Sequence, residues 1–247
     1  MAFICFAFKS IRLRYQLVLL VAFLIFNNTL RAQIETRDSL RVHNSRIFQI
    51  KQIVPSVLAL TMSAFMVDET MYNFVDDNRS YFMDDFSSIS DVFGEKTIVV
   101  PAVILSYGVS RFLINNDKLE ATSFKAMQSI LVTALATEGL KYIFGRSRPF
   151  NELGAYTFNS FPGNNDSYKS LPSGHSSLAF ALFTPLAEIY SRWLYIIPVS
   201  VAAGRVYQNK HWTSDVILGG GIGFLSGFLF THNPNVEIIP GGLKVFF

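Results

Sequence analysis

Six apolar stretches, residues 53–67, 98–114, 124–144, 176–190, 194–206 and 216–230, are each long enough for a helix and are joined by polar connections. A chain patterned this way folds most economically as a bundle of helices that bury these stretches against one another or in lipid. Half of its 247 residues are hydrophobic and only 16% are charged, against roughly 25% in an ordinary soluble domain. Several of the stretches are shorter than the ~20 residues needed to span a bilayer. In the last one, Gly219, Gly220, Gly221, Gly223 and Gly227 would weaken an exposed helix but suit close helix–helix contact. Tight packing inside a soluble bundle would use them equally well. The expected fold is all-α, a bundle of about six apolar helices embedded in a membrane.

Other classes are disfavoured by what the chain lacks. A net charge of +3 with scattered basic residues gives no footprint for nucleic acid. The single cysteine, Cys5, allows neither a disulfide framework nor a cysteine-based metal site. Neither a His-Glu-x-x-His string nor a calcium-loop pattern occurs, so no metal or other cofactor is expected. Lys9, Arg12 and Arg14 precede the apolar run 17–26, and Ala32 precedes a polar stretch. Residues 1–32 therefore read as a signal peptide or an uncleaved membrane anchor. Residues 33–97 then form a polar segment, a first apolar helix and an acidic loop. A core follows over 98–231, and 232–247 is a tail. Asp68, Glu69, Asp76, Asp77, Asp84, Asp85, Asp91 and Glu95 are expected to be solvated loop and helix-start residues.

Three strings carry the chemistry: Lys-Tyr-Ile-Phe-Gly-Arg-Ser-Arg-Pro at 141–149, Pro-Ser-Gly-His at 172–175, and Arg-Val-Tyr-Gln-Asn-Lys-His-Trp-Thr-Ser-Asp at 205–215. A transferring phosphoryl group needs cations and N–H donors already in place. Arg148 and Arg205 can each grip two phosphate oxygens with a planar fork, and Lys141 adds a point charge. Gly145 and Pro149 end the helix near Arg148. Ser173 can cap the helix that follows it, and Gly174 permits close backbone approach, so the helix start offers an anion site beside His175. His211 and Asp215 are four apart, which a helical backbone would place on one face. The carboxylate would then bond one imidazole nitrogen and leave the other as a nucleophile. His43 and His232 have no such company and read as structural or surface residues.

These strings resemble the three signature motifs of the type 2 phosphatidic acid phosphatase superfamily, which includes bacterial acid phosphatases and vanadium haloperoxidases. The motifs read Lys-x6-Arg-Pro, Pro-Ser-Gly-His and Ser-Arg-x5-His-x3-Asp. Every charged position matches; Gly204 stands where serine usually precedes Arg205. The resemblance covers roughly residues 98–231. It implies that His211 attacks phosphorus and forms a phosphohistidine, with Asp215 orienting it. It implies that His175 protonates the leaving oxygen and then activates water. Lys141, Arg148, Arg205 and the backbone around Ser173 and Gly174 would hold the non-bridging oxygens.

The apolar helices point to a phosphorylated lipid as the substrate, met at the headgroup level. The same pocket would also serve soluble phosphate esters, and the family further offers vanadate chemistry. Hydropathy alone would fit a non-catalytic membrane protein, but the intact His175, His211 and Asp215 argue against that. Residues of the 150–171 loop (Asn151, Glu152, Tyr156, Asn164, Asn165, Asp166, Tyr168) are candidates for headgroup contacts. The base-poor 68–97 segment and the loops carrying the three strings fall on one side of the membrane. The segment's charge places that side at the periplasm of a bacterial cell envelope. Six full crossings after a cleaved signal would reverse this orientation.

Overall fold

All six apolar stretches are helical in the computed structural model, which describes residues 41–232, 236–239 and 242–245. They become α1 (Arg41–Phe65), α4 (Lys96–Phe112), α5 (Asp117–Phe144), α6 (Gly174–Ile189), α7 (Ile196–Tyr207) and α8 (Thr213–His232). The reading of residues 1–32 as a signal or anchor lies outside the described residues. The acidic segment, expected as a loop, is instead helical: it forms α2 (Asp68–Asp77), α3 (Tyr81–Asp91) and a single 3₁₀ turn at Val92–Gly94. Its carboxylates explain part of this. Asp68 and Glu69 occupy the first turn of α2, where the helix dipole favours negative charge. Ser80 caps α3 by accepting the Met83 N–H at 3.3 Å. Beyond α8 the expected tail contains a small antiparallel hairpin, β1 (Val236–Ile239) with β2 (Gly242–Val245), in the register Val236 opposite Val245.

Local signals set the ends of the helices that matter most. Asn116 Oδ1 accepts the Leu119 N–H at 3.0 Å to start α5. Gly145 ends it in the left-handed conformation at φ 57°, donating its N–H to Lys141 O at 2.9 Å. A side chain at Gly145 would overlap the Asn159 carbonyl, so glycine is required for both reasons. Ser173 caps α6.

The glycines of α8 do what their spacing suggested. Gly219, Gly223 and Gly227 form one face of the helix and lie against α6: a Cβ at Gly223 would overlap the Ser177 carbonyl, and one at Gly227 would come within 2.6 Å of Thr184 Cβ. The neighbouring Gly221 faces Val57 of α1 in the same way. This places α8 at the centre of the bundle.

One end of the bundle collects the start of α2, the start of α4, the end of α5, the start of α6, the end of α7 and the start of α8. Side-chain contacts tie these ends together across long sequence separations. By length and composition α8 alone is a helix long and apolar enough to cross a membrane among the described residues. Two bent pairs, Lys51–Phe65 with Asp68–Asp77 and Tyr81–Gly94 with Lys96–Phe112, would each count as one further span.

Replacing Gly223 by valine is expected to destabilise the bundle by roughly 1–3 kcal/mol through overpacking. The contrasting change Gly139→Ala, in α5 where a Cβ meets nothing within 4 Å, should be neutral or stabilising by up to about 1 kcal/mol. Thermal unfolding of the two variants in detergent checks this; equal midpoints would refute the packing role of the glycine face.

Candidate active site

The site is built around a cation that the sequence motifs do not single out. Arg146, just past the end of α5, is completely buried. Its guanidinium donates to Asp215 Oδ1 at 2.6 Å, Ser214 Oγ at 2.7 Å, Asp68 Oδ2 at 2.8 Å and the Ala155 carbonyl at 2.7 and 2.8 Å. Its flat faces meet aromatic rings, with Cζ 4.4 Å from the centre of Phe65 and 5.4 Å from that of Trp212. Asp68 in turn accepts the Ser214 N–H at 2.8 Å and the Ser214 hydroxyl at 2.5 Å. One cation thus holds two buried carboxylates, and every charged oxygen has a donor.

Asp215 hands this order on to His211. Its Oδ2 accepts the Ser170 hydroxyl at 2.5 Å and the Trp212 N–H at 2.9 Å. His211 Nδ1 lies 2.8 Å from the Ser170 carbonyl and 3.7 Å from Asp215 Oδ2. The expected direct Asp–His hydrogen bond is therefore replaced by one to Ser170. The cause is local: His211 precedes α8 rather than lying on it, and the carboxylate is already taken by Arg146, Ser170 and Trp212. A carbonyl can only accept, so the proton sits on Nδ1 and Nε2 keeps a free lone pair.

The other motif residues converge on this imidazole. His211 is held well below the ordinary histidine range, first by burial, then by the positive charges of Arg148, Arg205 and Lys141 and by His175. The imidazole is therefore neutral at pH 7. Lys141 Nζ lies 3.3 Å from Glu138 and would be 3.2 Å from a Cβ at Gly174, against the start of α6. Burial likewise lowers Arg148, with Asp166 opposing it. Arg148 pairs with Asp166 at 2.9 Å and donates to the Asp166 and Lys210 carbonyls. Arg205 NH1 bonds Asp91 at 2.6 Å and Gln208 at 3.2 Å, while its buried Nε has no hydrogen-bond partner among the described residues. His175, in the first turn of α6, meets Glu95 at 3.2 Å.

Ser173 plays a narrower part than expected. Its hydroxyl accepts from Ser176, and its N–H donates to the Asp215 carbonyl at 2.9 Å. That N–H is committed, whereas Gly174 and His175 lie in the first turn, whose amides have no carbonyl partner inside the helix. In the 150–171 loop, Asn151 donates to Ser147 Oγ and the Ser167 carbonyl, Asn165 Oδ1 accepts the Ser167 N–H, and Tyr156 donates to the Phe65 carbonyl at the end of α1, so these side chains fasten the loop. His232, at the opposite end of α8 from His211, stacks on Phe228 and meets Glu188 at 3.4 Å.

Five residues were missed by sequence reasoning: Asp68, Asp91, Glu95, Arg146 and Ser170. The one available signal was Arg146, an extra arginine in the first string directly after an apolar helix. Among the described residues no cluster of three or more His, Cys, Asp or Glu side chains could hold a metal ion.

Removing Arg146 leaves Asp68 and Asp215 as facing buried carboxylates. Arg146→Met is expected to cost roughly 3–5 kcal/mol, and Arg146→Met combined with Asp68→Asn should recover part of that loss. Unfolding midpoints of the single and double variants test this; strict additivity would contradict a shared buried network.

Known proteins are similar to this chain over part of its length. The sequence profile of the PAP2 superfamily matches residues 123–238. A lipid A 1-phosphatase of Rhizobium johnstonii is 33% identical over 96 residues, covering 37% of this chain and 39% of that protein. A lipid A 1-phosphatase of Porphyromonas gingivalis is 35% identical over 96 residues, 36% of this chain and 18% of that protein. An undecaprenyl-diphosphatase of Sulfolobus acidocaldarius is 31% identical over 118 residues, 44% of this chain and 56% of that protein. The matches to the two lipid A 1-phosphatases thus span two fifths or less of those proteins' length. The fold is similar to that of the Aquifex aeolicus LpxE, with a TM-score of 0.52 at 20% identity over 66% of this chain and 94% of that one. It is also similar to a PAP2-type phosphatidylglycerolphosphate phosphatase of Bacillus subtilis, with a TM-score of 0.56 at 20% identity over 74% and 94%. Residues 123–238, which supply all three motifs and the central helices of the bundle, are a domain of the PAP2 superfamily, the type 2 phosphatidic acid phosphatases.

Proposed function

We propose that this chain is a metal-independent phosphatase that hydrolyses a phosphorylated lipid through a phosphohistidine on His211. The observation that carries this is the state of His211: Nδ1–H is spent on the Ser170 carbonyl, Nε2 keeps its lone pair, and the positive charges of Arg148, Arg205 and Lys141 act on the ring. A phosphoryl group held by those three cations, with the unpartnered Nε of Arg205 and the first-turn amides of α6 as further donors, would place phosphorus in front of Nε2. Attack forms the N–P bond as the ester P–O bond breaks, and His175 gives its proton to the departing oxygen. Water then attacks phosphorus, His175 takes its proton, and the N–P bond breaks to free His211 and phosphate. Asp215 acts through Ser170 and by its charge.

The bundle's surface supports a lipid substrate. Apolar side chains on the helices point outward, Met62 at 67%, Leu105 at 67% and Leu135 at 69% exposure, while Ser129, Thr133, Thr184 and Ser226 are buried inside. Exposed apolar side chains on helices that bury hydroxyls suit lipid as the surrounding solvent. We therefore place the bundle in the bacterial inner membrane. The 68–97 segment at the site end carries only Arg79 and Lys96 as bases, and Arg146, Arg148 and Arg205 there are buried rather than at the lipid headgroups; on that count we place the site at the periplasm. The relatives named above act on lipid A and on undecaprenyl diphosphate, and an envelope lipid of that kind is the substrate class proposed here.

Detergent-purified protein should release phosphate from lipid A, phosphatidate or a polyprenyl diphosphate in the presence of chelator, and His211→Ala should lower the rate at least roughly 100-fold. Chelator-sensitive release, or release unchanged in His211→Ala, would refute the mechanism. A preference for a small aryl phosphate would move the assignment to soluble esters. Green fluorescent protein fused after the C terminus, beyond the far end of α8, is expected to fluoresce in the cytoplasm; a dark, full-length fusion would reverse the orientation.

A further inference from the structure

The chain bends by 50° between Tyr81–Gly94 and Lys96–Phe112, and Glu95 sits at the break. Gly94 lies against the first turn of α6: a Cβ there would be 2.9 Å from His175 Cβ and 2.8 Å from Val201 Cγ1. That close approach delivers Glu95 to the imidazole. The two carboxylate oxygens divide their work. Oε1 accepts the Thr97 N–H at 3.4 Å and the Thr97 hydroxyl at 3.2 Å, capping α4. Oε2 lies 3.2 Å from His175 Nε2. The cap anchors the side chain and so aims its second oxygen.

We propose that Glu95 is a positioning residue for His175, taking the Nε2–H so that Nδ1 exchanges the proton with the leaving oxygen and then with water. This rests on the phosphatase reading above. A carboxylate only accepts, so the shared hydrogen belongs to Nε2. When Nδ1–H is given to the departing oxygen, the imidazole becomes neutral with Nε2–H still held. Nδ1 then carries the lone pair that takes a proton from the attacking water. One contact fixes the tautomer for both steps.

The charges facing His175 explain why a carboxylate is needed there. Burial and the Arg205 guanidinium of α7 push its protonation downward, and Asp91 at the end of α3 and Glu95 oppose them. His211, ahead of α8, is also electrostatically linked to it. Asp91 is itself engaged with Arg205 at 2.6 Å, so Glu95 is the carboxylate in direct contact with the imidazole.

The test is a histidine-¹³C NMR titration of the full-length protein in detergent, run beside pH profiles of kcat. The chain has four histidines, and His175→Gln assigns the signal. Glu95→Gln retains an amide oxygen for the α4 cap but loses the charge. The His175 midpoint is expected to fall by about one pH unit, with the basic limb of kcat following it and KM little changed. If Glu95→Gln fails to fold, Glu95→Asp, which keeps the charge but is one methylene shorter, should move the midpoint the same way by less. An unmoved midpoint in whichever variant folds would overturn the proposal. Because titration needs no turnover, absence of phosphate release by the wild type would count against the phosphatase reading alone, and the midpoint would still decide the Glu95 contact.

Discussion

The guanidinium of Arg146 joins the parts of this protein that must not move relative to one another. It is buried between Asp68, which opens α2, and Asp215, which opens α8, and it also holds the loop carbonyl of Ala155. A buried charge of this kind is tolerable only when its partners are complete. Here they are: two carboxylates, a hydroxyl, a carbonyl and two aromatic faces share one cation. Through Asp215 and Ser170 the order reaches His211, whose tautomer is thereby set.

The bundle and the site depend on opposite chemistry at different heights. In the middle, small residues on α8 let it pack against α6 and α1 with backbones close, and the outward faces are apolar. At the site end, carboxylates from the acidic segment and the 150–171 loop sit beside the cations: Asp91 with Arg205, Asp166 with Arg148, Glu95 with His175. Each pair holds a cationic or protonatable side chain in place before a phosphoryl group arrives. This is the preorganisation that electrostatic catalysis requires.

Much of this was legible in the sequence, and the limits of that legibility are physical. Helix positions followed from apolar stretches of helix length, and the end of α5 from Gly145 with Pro149 after it. Lys141, Arg148, His175, Arg205 and His211 were found as spaced motifs, and the structure brings them within electrostatic reach of one another. The acidic segment was misread because solvated and buried carboxylates look alike in sequence. Asp84 and Asp85 are exposed whereas Asp68 is buried, and only contacts with residues 78 and 146 positions away separate the two cases. The Asp215–His211 relation was misjudged for a related reason. Their spacing of four assumes a helix that begins two residues too late, at Thr213.

The most direct test of the account is to trap the covalent intermediate. Wild-type protein mixed with a phosphorylated lipid, quenched at alkaline pH where phosphohistidine persists, and digested for mass spectrometry is predicted to carry a phosphoryl group on His211. Rapid phosphate release with no adduct on His211, or with an adduct on a different residue, would contradict it.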